Sequence, residues 1–83
     1  MTTIEQEEKR FDMLAAKFEK IWDRELNLSI DRTSFSKGIT YQVRGFMFDS
    51  QVSICWSDDF STITQAFHDF NDRLEARLNG KVE

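Results

Sequence analysis

Two side chains with reactive chemistry occur once each in this sequence: the thiol of Cys55 and the imidazole of His68. A cysteine acts as a nucleophile when a general base lies within hydrogen-bond reach of its sulfur. The alternation of residues places Cys55 on the open face of a predicted sheet, whereas His68 belongs to a predicted helix that covers the opposite face. We therefore expect the two groups to lie apart, and the sequence predicts no catalytic residue and no enzyme.

A metal site is the second chemistry to consider. His68 and Asp72 stand four residues apart and can share one face of a helix. A zinc site needs three or four ligands of suitable type, and the further candidates, Asp69 and Glu75, are interpreted as ordinary surface acids. The sequence therefore predicts a solvated helix face, with no metal and no cofactor.

Two amphipathic helices must position these residues. The first is predicted over residues 3–26, where Thr3 and Gln6 fit the capping-box pattern. The second is predicted over residues 59–79 and is stopped by Asn79 and Gly80. Its candidate caps are Ser57, Asp58, Asp59 and Ser61. Apolar residues recur at helical spacing in both helices: Ile4, Phe11, Leu14, Phe18 and Ile21, then Phe60, Ile63, Phe67, Phe70, Leu74 and Leu78.

Between the helices the apolar residues recur with a period of two, which predicts strands with one buried face. Turns assigned to residues 35–38 and 49–50 pair Ile30 with Val43, Gly45 with Ile54 and Val43 with Trp56, so that the apolar sets, Trp56 included, share the buried face. The predicted fold class is α+β, a two-layer sandwich of order α-β-β-β-α. It contains a three-stranded antiparallel meander with both helices on one face, as a single domain over residues 1–83.

The same register sends Phe46 and Phe48 to the open face of the central strand, beside Arg44. Exposed aromatic rings rimmed by polar groups are typical of a contact surface. A bulge at Gly45 is the alternative, because it would turn this segment inward. We expect the open arrangement, and with it a binding surface for another protein.

Acidic residues concentrate along the second helix and its entrance. One interpretation is a solvated face that maintains solubility, helped by local pairs such as Asp69 with Arg73. The other is a negative stripe that binds a partner with a basic surface. The residues concerned are Asp58, Asp59, Asp69, Asp72 and Glu75.

The charge balance argues against nucleic acid as the partner. The chain has a net charge of −4, and its longest basic run is the pair Lys9 and Arg10. The alternative is nucleic-acid binding through Arg32, Lys37 and Arg44 on the first hairpin. We expect a cytoplasmic location and no membrane partner. The sequence contains one cysteine, shows no signal-peptide pattern and has no apolar run long enough to span a membrane.

The order α-β-β-β-α, with both helices on one sheet face, resembles the double-stranded-RNA-binding domain. That family grips phosphates with lysines at the start of its second helix, whereas the corresponding segment here carries Asp58 and Asp59. Two acids repel a phosphate backbone, so the resemblance implies the fold and no RNA-binding residue.

A small acidic α/β domain without a catalytic centre is also similar in type to phage- and plasmid-encoded inhibitors, including anti-CRISPR proteins. We therefore expect a non-enzymatic protein-binding domain, in its most specific form a mobile-element inhibitor of a host nucleic-acid-handling complex. The alternative is a homodimeric structural or adaptor protein that pairs through the sheet face or a strand edge.

Overall fold

The computed structural model describes residues 3–50 and 52–82. Three antiparallel strands form one sheet in the order β1-β2-β3, and both helices pack on the same face of it. The predicted α+β fold of order α-β-β-β-α is confirmed. Its elements are α1 (Ile4–Trp22), β1 (Leu26–Phe35), β2 (Gly38–Met47), β3 (Ser53–Trp56) and α2 (Ile63–Val82).

Helix α1 begins with the predicted capping box. The Thr3 N–H donates to Gln6 Oε1 at 2.9 Å, and the Gln6 N–H donates to Thr3 Oγ1 at 3.2 Å, which satisfies two free donors of the helix start. The predicted end at residue 26 is wrong, because Asp23 adopts the left-handed conformation (φ 55°) and closes the helix after Trp22. Leu26 instead starts β1 and is buried.

Helix α2 begins and ends later than the sequence predicts. Its first turn is capped by Thr62, whose Oγ1 accepts a hydrogen bond from the Gln65 N–H at 3.3 Å, and none of the four candidate caps starts it. The helix continues through Gly80 to Val82. One glycine costs a helix only about 1 kcal/mol relative to alanine, so Gly80 does not stop it.

The hairpin of β1 and β2 has the predicted register, with Ile30 opposite Val43. The ladder is longer than predicted, because Phe35 also pairs with Gly38 and leaves only residues 36–37 in the turn. Gly38 has a φ of 144°, a conformation that L side chains rarely adopt, so a glycine is required where the chain returns.

One hydrophobic core lies between the helices and the sheet. Helix α2 approaches the central strand closely, since a Cβ atom at Gly45 would lie 2.8 Å from Cζ of Phe70. Gly45 thus admits the Phe70 ring against β2. The buried hydrophobic residues are Leu14, Phe18, Leu26, Val43, Cys55, Ala66, Phe67, Phe70, Leu74 and Leu78.

Candidate protein-binding surface

Strand β3 departs from the predicted register by one residue. Phe46 pairs with Ser53, as the predicted turn requires, but Gly45 pairs with Cys55 rather than with Ile54. Ile54 is therefore an extra residue of β3, a β-bulge opposite the step from Gly45 to Phe46. Beyond the bulge, every side chain of the strand lies on the face opposite to the predicted one.

The shift exchanges Cys55 and Trp56 between the two faces of the sheet. Cys55 is buried, with 6% of its surface exposed, and its Sγ lies 3.9 Å from the carbonyl oxygen of Phe70. Trp56 lies opposite Arg44 and is 51% exposed. The prediction that Cys55 lies on the open face is wrong, and so is the prediction that Trp56 lies in the core.

The environment of Cys55 disfavours nucleophilic chemistry. Burial raises the pKa of the Cys55 thiol, although Arg77 and Arg73 act in the opposite direction. The thiolate is the nucleophilic form of cysteine, so a raised pKa leaves little of it near neutral pH. The hydrogen bond of His68 goes elsewhere, to the carboxylate of Glu7.

The open face of the sheet, on the side away from the helices, has Arg44, Phe46 and Trp56 at its centre; we call these three residues the aromatic face. Because Val43 and Gly45 are buried on the helix side, their neighbours Arg44 and Phe46 point the other way. The Arg44 guanidinium lies over the Phe46 ring, with Cζ 5.9 Å from the ring centroid, a cation–π geometry.

The bulge that the sequence left open as an alternative is present, but its extra residue belongs to β3. Phe46 consequently stays on the open face, where it is half-buried. Phe48 follows β2 in the turn and is 60% exposed, with its backbone N–H donating to the Glu25 carbonyl at 3.3 Å. The two phenylalanines lie outside the hydrophobic core.

Arg44 makes no ion pair with the residues in 3–50 and 52–82. Its Nε and the Nδ2 of Asn27 are buried without a hydrogen-bond partner in this part of the chain. Asn27 stands opposite Phe46 in the ladder, so both atoms belong to the open face. Unpaired buried donors are rare, and both of these lie beneath the surface that carries Arg44.

The acids of α2 and of the segment before it are largely paired with arginines. The predicted pair of Asp69 with Arg73 is confirmed, at 3.0 Å. Asp59 is exposed and forms no ion pair with the described residues. The remaining pairs join Arg73 to Asp58 at 2.9 Å, and Arg10 to Asp72 and Glu75 at 2.7 and 3.3 Å.

Glu7 is a buried charged group that the sequence analysis missed. It is only 1% exposed, and its carboxylate contacts Nδ2 of Asn71 and Nδ1 of His68, each at 2.9 Å. The prediction that His68 lies on a solvated helix face is therefore correct only in part, because one side of its ring contacts the buried Glu7. The signal was the position of Glu7 between Ile4 and Phe11, where helical spacing calls for an apolar residue.

Histidine and acidic residues do approach each other here, since His68 Nε2 lies 3.3 Å from Asp72 Oδ2. Within the part of the chain that the structure describes, however, no group of three or more His, Cys, Asp and Glu residues is arranged to hold a metal ion. The contacts of Glu7 with His68 and Asn71 instead join α1 to α2.

Comparison with protein-family models, with curated proteins and with solved structures found no match for this chain. Neither helix within residues 3–50 and 52–82 combines the length and apolar character needed to cross a membrane. The aromatic face, with its exposed tryptophan and its unpaired arginine, is accordingly the feature from which a function can be inferred.

Proposed function

We propose that this chain is a non-catalytic protein-binding domain that contacts its partner through the aromatic face. The proposal is carried by the register shift in β3, which brings Trp56 beside Arg44 and Phe46 on the uncovered side of the sheet. Tryptophan and arginine are enriched among the residues that dominate binding energy, and phenylalanine is enriched at interfaces. All three occur here at neighbouring positions of one surface.

The surrounding residues extend this surface. Phe48 and Val52 are exposed at the turn between β2 and β3 and add apolar area at that end of the strands. Burial of a tryptophan at the centre of an interface commonly contributes about 2 kcal/mol or more. Trp56 has half of its surface still to bury, so it is the expected centre of the contact.

The charge of Arg44 indicates which chemical group the partner contributes to the contact. Arg44 is a cation without a paired acid in the described part of the chain, and both unpaired buried donors lie on its face. A partner oxygen, from a carboxylate or a carbonyl, would bind the Arg44 guanidinium. The acids Asp58, Asp69 and Asp72 take no part in this proposal, because arginines already neutralise them.

The narrower proposal is that the domain is a mobile-element inhibitor of a host nucleic-acid-handling complex. It is supported by the similarity in type to such inhibitors, which rests on the small size, the net charge of −4 and the α+β fold of this chain. Identification of the partner decides it: a nuclease or another nucleic-acid-handling protein agrees with the inhibitor, and any other class of protein rejects it.

The test compares Trp56→Ser with Met13→Ser, which removes a large exposed apolar side chain from α1, where Met13 is 66% exposed against 51% for Trp56. Each immobilised chain is incubated with a lysate of the source organism. We expect one partner to be retained by the unmodified chain and by Met13→Ser, and to bind Trp56→Ser about 30-fold more weakly or worse.

Equal retention by both variants would reject the aromatic face as the contact. Sedimentation of the purified chain distinguishes a monomer that binds another protein from the homodimer alternative. We expect a monomer at tens of micromolar, roughly the range in which a specific dimer persists. A concentration-dependent dimer that Trp56→Ser dissociates would instead assign the face to a second copy of this chain.

A further inference from the structure

A groove separates β3, an edge strand of the sheet, from α2. It has a volume of about 310 Å³ and is lined by Ile54, Cys55, Trp56, Arg73 and Arg77; we call it the edge groove. Sites for small ligands measure roughly 300–1,000 Å³, so the edge groove is large enough to hold part of another molecule.

The outer edge of β3 presents backbone groups beside this groove. The Ser57 N–H donates to the Val43 carbonyl at 2.8 Å, which makes Ser57 a hydrogen-bonded position of the ladder. Trp56, opposite Arg44, is the adjacent non-hydrogen-bonded position. The N–H and C=O of such a residue point away from the neighbouring strand, so those of Trp56 point outward from the sheet.

Arg73 and Arg77 are the charged residues that line the groove, and only Arg77 is without an acidic partner in the described part of the chain. Its Nη1 donates to the carbonyl of Ile54, and it forms no ion pair within residues 3–50 and 52–82, whereas Arg73, one turn earlier, binds Asp58 and Asp69. A hydrogen bond to a carboxylate is about twice as strong as one to a neutral carbonyl. Arg77 can therefore exchange the Ile54 carbonyl for the carboxylate of a ligand.

A second cleft shares Ile54 and Arg77 with the edge groove. It measures about 250 Å³ and is lined by Phe18, Trp22, Met47, Ile54 and Arg77; we call it the apolar cleft. The Phe18 and Trp22 rings stack with their centroids 4.5 Å apart. These walls suit a large apolar side chain. Because Arg77 lines both clefts, a ligand that fills the apolar cleft and also binds Arg77 must carry its carboxylate close to that apolar side chain.

We propose that the edge groove binds the C-terminus of an extended peptide. The peptide adds to β3 as a fourth strand, its terminal carboxylate binds Arg77, and its last side chain, large and apolar, enters the apolar cleft. Pairing of a peptide with a sheet edge supplies affinity through backbone hydrogen bonds, while the side-chain pocket supplies specificity.

A C-terminal residue meets the geometry better than an internal acid does. Its carboxylate and side chain are attached to the same Cα atom. In an extended chain the next side chain points to the opposite face, and the one after it is about 6.6 Å away. The edge groove is distinct from the aromatic face, although Trp56 contributes to both.

The test is a selection on the full immobilised chain from random hexapeptides with a free C-terminus, run beside the same mixture with an amidated C-terminus. We expect leucine, isoleucine, phenylalanine or methionine to be enriched at the last position, from the free mixture alone. The best peptide, fluorescently labelled, then serves as the probe. Its affinity should fall about tenfold or more with Arg77→Gln.

Arg32→Gln is the matched control, because Arg32 is another exposed arginine without an ion pair in the described part of the chain; it should leave the affinity unchanged. Amidation of the probe should weaken binding to the unmodified chain but have no further effect on Arg77→Gln, since both changes remove the same interaction. An unchanged urea midpoint verifies that Arg77→Gln is folded.

Absence of a preference at the last position would overturn the proposal, as would enrichment of internal acids or an equal loss with Arg32→Gln. Phe46→Ser separates the two sites. Phe46→Ser should leave the affinity for the peptide unchanged and lower the affinity for the partner of the aromatic face. Arg77→Gln should lower the affinity for the peptide and leave the affinity for that partner unchanged.

Discussion

Trp56 lies directly opposite Arg44 across the ladder of β2 and β3. This pairing decides which side chains of β3 pack in the core and which lie on the surface. If Trp56 faces outward, its neighbour Cys55 must face inward, and the buried Cys55 beside Phe70 shows that it does. The same shift thus explains a buried thiol and an exposed indole.

The burial of Cys55 predicts low reactivity. We expect a thiol reagent such as Ellman's reagent to modify the folded chain at least about 100-fold more slowly than the chain unfolded in guanidinium, because the sulfur becomes accessible only when the structure opens. Comparison of the two modification rates at one pH checks this. Similar rates in the folded and unfolded chains would mean that Cys55 lies on the surface.

The raised pKa of the Cys55 thiol also predicts how stability depends on pH. The unfolded thiol loses its proton near its ordinary value of 9.0, whereas the folded chain keeps it to higher pH. The stabilising contribution is therefore complete below that value and is lost as pH rises toward the folded pKa, at up to about 1.4 kcal/mol per pH unit. Urea midpoints at increasing alkaline pH should fall more for the unmodified chain than for Cys55→Ala. Parallel pH profiles would contradict the assignment.

The buried carboxylate of Glu7 predicts a large effect of a charge-removing substitution. Glu7→Ala leaves His68 and Asn71 without their carboxylate partner between the helices. We expect a loss of about 2 kcal/mol in the free energy of unfolding, because the buried Asn71 amide keeps only its bond to the Glu7 main-chain carbonyl and the His68 ring loses its acceptor. Glu8→Ala, at the exposed neighbouring position, should change it by less than about 0.5 kcal/mol. Urea denaturation measures both, and equal small effects would show that the Glu7 contacts contribute little.

The close approach of Phe70 to Gly45 predicts opposite outcomes for two glycine substitutions. Gly45→Ala places a methyl group against the Phe70 ring and should destabilise the fold by about 1–3 kcal/mol. Gly80→Ala meets no atom within 4 Å and should stabilise α2 by up to about 1 kcal/mol. Thermal unfolding of the two variants checks the pair. A neutral Gly45→Ala would mean that Phe70 does not pack on β2.

The sequence predicted the hairpin of β1 and β2 because each strand there alternates without interruption, so one choice of turn aligns Ile30 with Val43. It could not predict β3. Val52, Ile54 and Trp56 alternate as an apolar set, whereas the residues that face inward beyond the bulge are Cys55 and the buried Ser57. A serine gives no apolar signal, although the Ser57 Oγ accepts a hydrogen bond from the Val43 N–H at 3.0 Å.

The contact between the helices was hidden for a similar reason. Glu7 and Asn71 both stand on the apolar faces of their helices, and both are buried. In the sequence, each of them is a single polar residue within an apolar helix face, and nothing links one to the other. Only the tertiary structure brings them together, with the Asn71 Nδ2 donating to the Glu7 carboxylate at 2.9 Å, and this contact explains why both polar residues stand on apolar faces.

The aromatic face was predicted in part. Arg44 and Phe46 were placed on the open face by simple alternation along β2, and they lie there. Trp56 was assigned to the core, so the residue with the greatest expected contribution to binding was missed. A bulge depends on backbone pairing rather than on residue type, which is why the composition of β3 does not reveal it.

Nuclear Overhauser contacts of the Trp56 indole test the central claim most directly, because the register of β3 decides which side chains face a partner. We predict contacts from the indole protons to the Arg44 side chain, and from the Cys55 β-protons to the Phe70 ring. Contacts from the indole to Phe67 or Phe70 would contradict the register shift and with it the aromatic face.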